Sequence, residues 1–569
     1  MNRYIFSLVA FIIPLAVAAT NGAPTRTEAG TKVLSVVAWK SNNADLLKDI
    51  EAEIKDSMII LASPYITNAE DITLTFRTDG GGIFLQDGTK VENGQGATIN
   101  LSSPKTIYTE GEHSSTYIIR CYYSGLPIVE ITTPDSVPVT SKESWIENSI
   151  INIINPDGTI DHSCEFSIKG RGNGTWSAGN TKKGYSLKLG KKNEILGMPA
   201  HKRWVLLPNV HDRSLIRNAI GFEISRCLGL DWTPRGRFVE LVFNGNYRGN
   251  YYLCEQIRID NDRVDISDLG DNGDNLTGGY ILELDNHYDE EFKFKSTTKS
   301  LPYMFKDPNT VTSEQFTYIK EYIDDLEESL YDNNRFENND YLNYIDIESF
   351  VNWWIATEVT QNQEPNHPSS CYMHKDQQSK IKMGPVWDFD VYTFNTKYRL
   401  DTLAIKNALY YDKLFESSVF VSLLKKRWNE IKPVLQSHIP SYINDVVLLI
   451  RPSADLNFMR WPTRFYRDFS ASYDGTPYND YSWFDSYEDY DDTYVKIKEV
   501  FLTKLLNIDQ WISGLDNGGE TGFTDITNRK NQSDERTIFL DISGRQISKP
   551  LRGFYIKIVG DNKYKVIEK

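Results

Sequence analysis

Between Val33 and Ile131 the apolar residues fall in short alternating runs: Val33-Leu34-Ser35-Val36-Val37, Ile72-Thr73-Leu74-Thr75-Phe76, Ala97-Thr98-Ile99-Asn100-Leu101 and Tyr117-Ile118-Ile119-Arg120-Cys121-Tyr122. Turn clusters such as Asp79-Gly80-Gly81-Gly82 and Glu92-Asn93-Gly94 separate them, which predicts an all-β region over residues 33–125. Over residues 126–515 strands come first and three-to-four helical spacing follows, the order of an α+β domain. Helices are predicted at 214–228, 313–331, 347–359 and 418–434. The run Asp516-Asn517-Gly518-Gly519-Glu520-Thr521-Gly522 reads as a linker over 516–533. A short β tail over 534–569 is expected after it, built on 540–545 and 553–557.

The spacing of the first strands suggests a small immunoglobulin-like sandwich. Before it, Arg3 precedes an apolar run over 4–19 that ends in Ala16-Val17-Ala18, with Ala23 a second small-residue option. That is the pattern of a cleaved secretory signal over 1–23, placing the mature chain outside the cytoplasm, in the periplasm, at the cell surface or secreted. No other stretch has the roughly 18 apolar residues of a membrane span, so no transmembrane segment is expected in the mature chain. The 569 residues are 40% hydrophobic and 12% aromatic, enough for large cores. With 62 basic against 78 acidic residues the net charge is -16, which disfavours nucleic acid and anionic membranes as partners. The 33 Tyr and 12 Trp suit either surface binding or amphipathic core and rim positions. Cys121, Cys164, Cys227, Cys254 and Cys371 are widely spaced and show no CxxC or Cys/His cluster. Buried free thiols are expected rather than a zinc site, Cys227 in a helix and Cys254 in a strand, with one disulfide possible. The aromatic and acidic run 474–492 reads as a loop or short helix lining a surface, solvated as acidic runs usually are, with calcium a candidate ion.

The candidate chemistry centres on Gly384-Pro385-Val386-Trp387-Asp388-Phe389-Asp390. In an extended segment Asp388 and Asp390 point the same way, roughly 6–7 Å apart, with Trp387 and Phe389 turned to a core. Two like charges on one face call for a hard cation such as Mg²⁺ or Ca²⁺. Upstream, a strand over 166–170, the Gly-rich turn Arg171-Gly172-Asn173-Gly174-Thr175-Trp176 and a second strand over 181–189 form a unit able to set backbone N–H groups and lysines against phosphate. In helix 214–228 the stripe Ile216, Ala219, Ile220 and Cys227 contains Glu223. A carboxylate there either reaches water or takes a partner. Lys188 on the neighbouring sheet is the expected partner, as in the strand-lysine to helix-glutamate pair of protein kinases. Arg213 and Arg217, one turn apart, suit an anionic group or a structural salt bridge. In Gly278-Gly279-Tyr280-Ile281-Leu282-Glu283-Leu284-Asp285, Glu283 and Asp285 share a face. The polar loop Gln361-Asn362-Gln363-Glu364-Pro365-Asn366-His367, then a strand, then Asp-Phe-Asp, gives the order of catalytic and metal loops in kinases.

These segments, with Leu196-Gly197-Met198, Trp204-Val205-Leu206-Leu207-Pro208-Asn209 and Leu215-Ile216-Arg217-Asn218-Ala219, resemble the kinase family named for spore coat protein H (CotH), in order over 126–515. The resemblance implies a secreted atypical protein kinase using ATP and Mg²⁺ or Mn²⁺ to phosphorylate protein Ser/Thr hydroxyls. It makes Asp388 and Asp390 the metal site, Lys188 and Glu223 the phosphate-positioning pair, and Arg171 and Arg217 further nucleotide contacts. Glu364 stands where the family often carries Asp, as the group that orients the acceptor hydroxyl, and no glycine follows Phe389. The front region resembles the β-sandwich modules that precede catalytic domains in secreted bacterial proteins, and the tail resembles C-terminal sorting modules. The expected architecture is therefore multi-domain: an immunoglobulin-like sandwich, an α+β kinase-like domain and a short β tail. Two rival functions are a non-catalytic adhesin recognising a surface ligand, and a carbohydrate hydrolase with Glu283 and Asp388 as a carboxylate pair roughly 5–10 Å apart.

Overall fold

A computed structural model describes residues 31–176, 182–269, 275–395, 398–461 and 490–515, together with the backbone of four strands between Thr537 and Glu568. The signal over 1–23, the linker over 516–533 and nearly all of the run 474–492 lie outside the described residues. The chain divides into two compact units. One comprises residues up to Asn43, Asp49–Leu61 and Glu70–Cys121; the other holds Ala44–Lys48, Ala62–Ala69 and everything from Tyr122 onward.

The first unit is all β, in two antiparallel sheets. One runs β2 (Ile50–Glu51), β1 (Val33–Ala38), β5 (Ile72–Thr78) and β8 (Gly96–Ile99). The other runs β3 (Glu53–Lys55), β4 (Met58–Ala62), β10 (Thr116–Tyr122), β9 (Lys105–Thr109), β6 (Ile83–Leu85) and β7 (Lys90–Val91). Burial follows the period of two: Ile72, Leu74 and Phe76 are covered on β5 while Thr73 and Thr75 are half-exposed.

The second unit opens with a closed seven-stranded barrel. Its strands are β11 (Ile128–Thr132), β12 (Ile146–Ile154), β13 (Ile160–Arg171), β14 (Gly184–Ile195), β15 (Met198–Leu207), β16 (Gly236–Phe243) and β17 (Asn246–Glu255). Their order is β11-β12-β13-β14-β15-β17-β16, and β11 closes the ring by pairing parallel to β16. Alternate residues such as Ile151, Ile168, Leu187, Trp204 and Leu253 form one buried cluster, while their neighbours Val205, Phe238, Tyr252 and Cys254 join a second. Both faces of these strands are therefore covered in part. Helix α1 (Arg217–Leu228) leaves the barrel after β15 and ends at Gly229, whose φ of 66° gives the left-handed cap that glycine supplies without strain. It starts three residues later than its apolar period suggests. Asp212 accepts hydrogen bonds from the backbone of Ser214 and Arg217, both at 2.8 Å, and holds the intervening turn open.

A five-stranded antiparallel sheet follows, ordered β19 (Lys293–Lys295), β20 (Pro302–Asp307), β18 (Tyr280–Leu284), β21 (Cys371–Lys375) and β22 (Ile381–Met383). Between β20 and β21 lie α2 (Ser313–Tyr331), α3 (Asn333–Glu337) and α4 (Ile347–Val359). A Thr312–Gln315 capping box starts α2, and the Asp346 side chain accepts from Ser349 N to start α4. After a short α5 (Tyr411–Leu414), α6 (Ser418–Arg460) and α7 (Tyr490–Ser513) complete the helical layer. Helix α6 does not stop at 434, where its helical pattern is expected to end; it runs for 43 residues through Pro433, Pro440 and Pro452. An interior proline costs about 3 kcal/mol. Continued burial of Leu435, Ile439, Ile443 and Ile450, at roughly 1.5–3 kcal/mol a side chain, offsets that cost. The tail forms a four-stranded antiparallel sheet, and no cysteine among the described residues is in a disulfide. Cys254 is fully buried in β17, whereas Cys227 in α1 is only half-buried.

Gly221, inside α1, gives a direct test of this packing. A Cβ there would lie 2.3 Å from Cδ2 of Phe389. Helix propensity alone favours Ala over Gly by about 1 kcal/mol, whereas overpacking costs roughly 1–3 kcal/mol. Gly221→Ala is therefore expected to lower the urea unfolding midpoint, and an unchanged or raised midpoint would show that the Phe389 ring yields freely.

Candidate active site

The second unit contains a cavity of about 970 Å³ lined by the barrel rim, the five-stranded sheet and the loops after α4 and β22. The loop after β22 carries Asp388 and Asp390. It is not the extended segment its alternation suggests, for Asp388 sits in the left-handed region at φ 60°. The reason is the anchoring on either side. Trp387 and Phe389 are buried at 6% and 1% exposure and meet Phe222 of α1 at ring-centroid distances of 5.8 and 6.0 Å. The Asn218 side chain of α1 accepts the backbone N–H of Phe389 at 2.8 Å, and the Thr393 hydroxyl bonds to the Phe389 carbonyl. With both rings fixed in the core, Asp388 and Asp390 both still line the cavity. Burial, then the charge of Asp388, pushes the Asp390 carboxyl well above the usual carboxylate range.

Three more carboxylates face the same space. Glu364 begins the single 3-10 turn after α4, its N–H held by the Asn362 side chain at 3.0 Å. Its Oε2 is buried with no hydrogen-bond partner. Burial, then Asp388, Asp390, Asp285 and Glu283, raises its carboxyl well above the ordinary value. Glu283 and Asp285 share a face at the end of β18 and line the cavity. Glu283 accepts from the Tyr372 hydroxyl and pairs with Lys306 at 2.6 Å. Asp285 is held by His287 Nδ1 at 2.7 Å, by the Ser370 N–H at 3.1 Å and by the Ser369 hydroxyl at 3.2 Å.

The same cavity is also lined by Lys169, Arg171, Arg203, Arg258 and Lys306, the last paired directly with Glu283. The Arg171 guanidinium lies over the Trp387 ring at 5.0 Å, and its Nη1 is buried with no hydrogen-bond partner. Burial holds the Lys169 ammonium below its ordinary pKa, and the Arg203 and Arg258 charges act in the same direction. The cavity thus holds carboxylates and cations together, and Glu364 Oε2 and Arg171 Nη1 each remain without a hydrogen-bond partner in it.

Of the residues expected from the sequence, Arg171, Glu364, Asp388 and Asp390 line this cavity; Lys188, Glu223 and Arg217 do not. The expected Lys188–Glu223 pair does not form. Glu223 lies on the flank of α1 that meets α6, where Arg226 Nε takes one oxygen at 2.8 Å and His438 Nε2 takes the other at 2.6 Å. Lys188 is exposed on β14, 6.0 Å from the Trp145 ring. Arg217 is buried beside Asp212, with Nε 3.5 Å from its Oδ1, a structural salt bridge at the start of α1. The lysine that does meet a glutamate in the cavity is Lys306, held between Glu283 at 2.6 Å and Glu290 at 3.1 Å. Burial lowers its pKa, but the two glutamates outweigh that and leave it raised. Its sequence signal was a single lysine ending the apolar run of β20.

The residues suit a divalent metal. Among the described residues, the cavity carboxylates do not bring three donor atoms within 4.8 Å of one another. Mg²⁺ needs only one or two carboxylates when phosphate oxygens and water complete its shell. The unpartnered Glu364 oxygen and the raised carboxyls mark uncompensated negative charge.

Asp388 and Asp390 thus share their cavity with a cluster of cations. A protein-family model described as CotH kinase protein matches residues 168–502, more than half of the chain, and the chain belongs to this family. Comparison with curated proteins gave no match. The matched span runs from β13 to α7 and includes every cavity residue expected from the sequence. No helix among the described residues is long and apolar enough to cross a membrane.

The pH dependence follows from Glu364 and Asp390. A carboxyl raised in the fold gives stability that is fully present below its unfolded pKa, about 4, and is lost as pH rises towards the folded value. Without metal, the melting temperature is expected to fall between about pH 4 and neutrality through these groups, and Mg²⁺ or Mn²⁺ to restore part of it. Glu364→Gln should flatten the metal-free profile; an equally steep profile in that variant would remove Glu364 as its source.

Proposed function

We propose that the second unit is a protein kinase that transfers the γ-phosphoryl group of ATP to a Ser or Thr hydroxyl of a protein. The observation that carries this reading is that Asp388 and the buried Asp390 line one cavity together with Arg171 and Lys306. Asp388 and Asp390 would hold Mg²⁺ or Mn²⁺, which when bound neutralises phosphate charge. Arg171, positioned by Trp387, supplies a guanidinium to the phosphates, with Lys169, Arg203 and Arg258 adding positive charge. Lys306, gripped by Glu283 and Glu290, fills the phosphate-orienting role first assigned to Lys188. The acceptor oxygen forms a bond to the γ-phosphorus as the bond to the bridging oxygen breaks, and ADP leaves. Glu364 accepts the hydroxyl proton. Burial and the neighbouring carboxylates raise its pKa, which makes its ionised form a stronger base than a free carboxylate.

The apolar start of the chain, with its small-residue cleavage pattern, supports export. The tail supports surface retention by its resemblance to sorting modules. A kinase working there draws on extracellular or periplasmic nucleotide, and its partner is an exported protein with an exposed Ser or Thr.

Calorimetric titration of ATP with and without Mg²⁺ or Mn²⁺, joined to transfer of labelled γ-phosphate to protein, tests the reading. Asp388→Ala should abolish the metal-dependent binding. Lys306→Ala should weaken nucleotide binding about ten- to a hundredfold, the value of a charged hydrogen bond of roughly 1.5–3 kcal/mol, whereas Lys188→Ala should leave it unchanged. If ATP fails to bind with either metal, the kinase reading falls and an adhesin on the same scaffold becomes the better account.

A further inference from the structure

Away from the cavity, α1 and α6 bring together three different donor chemistries. Glu223 and Cys227 lie one turn apart on α1, on the same face. His438 reaches them from α6. A carboxylate oxygen, the Cys227 Sγ and an imidazole nitrogen all lie within 4.8 Å of one another, the one such set of three among the described residues. His438 Nε2 is 2.6 Å from Glu223 Oε1. The second oxygen of Glu223 is held by Arg226 Nε at 2.8 Å, and Arg226 Nη1 donates in turn to the Pro234 carbonyl at 3.2 Å.

An ion pair between the helices accounts for the glutamate, the arginine and the histidine. It gives no reason for a thiol within reach of both. The arrangement has the layered form of a metal site: three candidate ligands, and behind the carboxylate a fixed donor that orients it without occupying the oxygen turned to the histidine. Glu223 is 16% exposed and His438 46% exposed, so an ion has a path from solvent and room for a water.

We propose that Glu223, Cys227 and His438 bind one divalent ion of borderline softness, with Zn²⁺ the best fit. Thiolate, imidazole and a single carboxylate form a zinc donor set, and three protein ligands leave the fourth tetrahedral position to water. Mg²⁺ and Ca²⁺ require oxygen ligands and are not expected here. On binding, the S–H bond of Cys227 is replaced by a sulfur–metal bond and the proton passes to solvent. The charges of thiolate and carboxylate balance the ion, and Arg226 remains on the outer oxygen.

The site would clip α1 to α6. Helix α1 also carries Asn218 and Gly221, which seat Phe389 between the two cavity aspartates. Zinc would therefore brace the platform of the cavity without touching its ligands. The proposal stands independently of the kinase reading.

The test uses the full mature chain, stripped with chelator and kept in excess Mg²⁺ to fill oxygen-rich sites. Zn²⁺ affinity is measured by competition with a chromophoric chelator, and Co²⁺ serves as the spectroscopic probe. One equivalent of Zn²⁺ is expected, with a thiolate-to-Co²⁺ charge-transfer band that Zn²⁺ displaces. Cys227→Ser should abolish the band and weaken Zn²⁺ at least a hundredfold, His438→Ala should weaken it at least tenfold, and Asp388→Ala should leave it intact. Absence of the band in the unaltered protein would overturn the proposal without reference to any variant's folding. A band that survives Cys227→Ser would overturn it equally, since another cysteine would then be the ligand.

Discussion

Burial of Trp387 and Phe389 holds Asp388 and Asp390 in place against their mutual repulsion. Two unit charges about 4 Å apart repel by about 4 kcal/mol at an effective dielectric constant of 20. Each buried ring contributes roughly 1.5–3 kcal/mol, and Asn218 adds a hydrogen bond to the backbone between the two carboxylates. The core therefore wins, and the residual conflict appears as protonation: Asp390 keeps its proton well above the usual range.

The same constraint explains what the residues alone revealed. Alternation marks both faces of the barrel strands, because each face has its own apolar cluster. It also places Glu283 and Asp285 on one side of β18, since a strand's period does not depend on its partners. The inward turn of Trp387 and Phe389 was legible for the same reason, yet the extended backbone was not, because the left-handed Asp388 is imposed by Phe222 and Asn218 from a distant helix.

The pairing of charges was the least legible feature. Glu223 lies in an apolar stripe, which says that it has a partner but not which one. Its partners are Arg226, one turn away, and His438, more than two hundred residues on. Separate runs of sequence contain the donors, so no Cys/His spacing announces them. Lys306 escaped for the opposite reason: it follows an apolar run in β20, and only the pairing of β20 with β18 brings it beside Glu283. Helix α6 runs on through three prolines because the apolar surface it covers offsets their cost.

The mixed charge of the cavity also separates its rival readings. A glycoside cleft places one protonated and one ionised carboxyl across a neutral sugar. Here Asp390 and Glu364, both pushed up by burial, share the cavity with Lys169, Arg203, Arg258 and Arg171, whose Nη1 has no hydrogen-bond partner. A neutral sugar would bring the Arg171 guanidinium no anionic partner. A polyphosphate carrying a divalent ion presents negative oxygens to the cations and a positive centre to the carboxylates, which no neutral ligand can do.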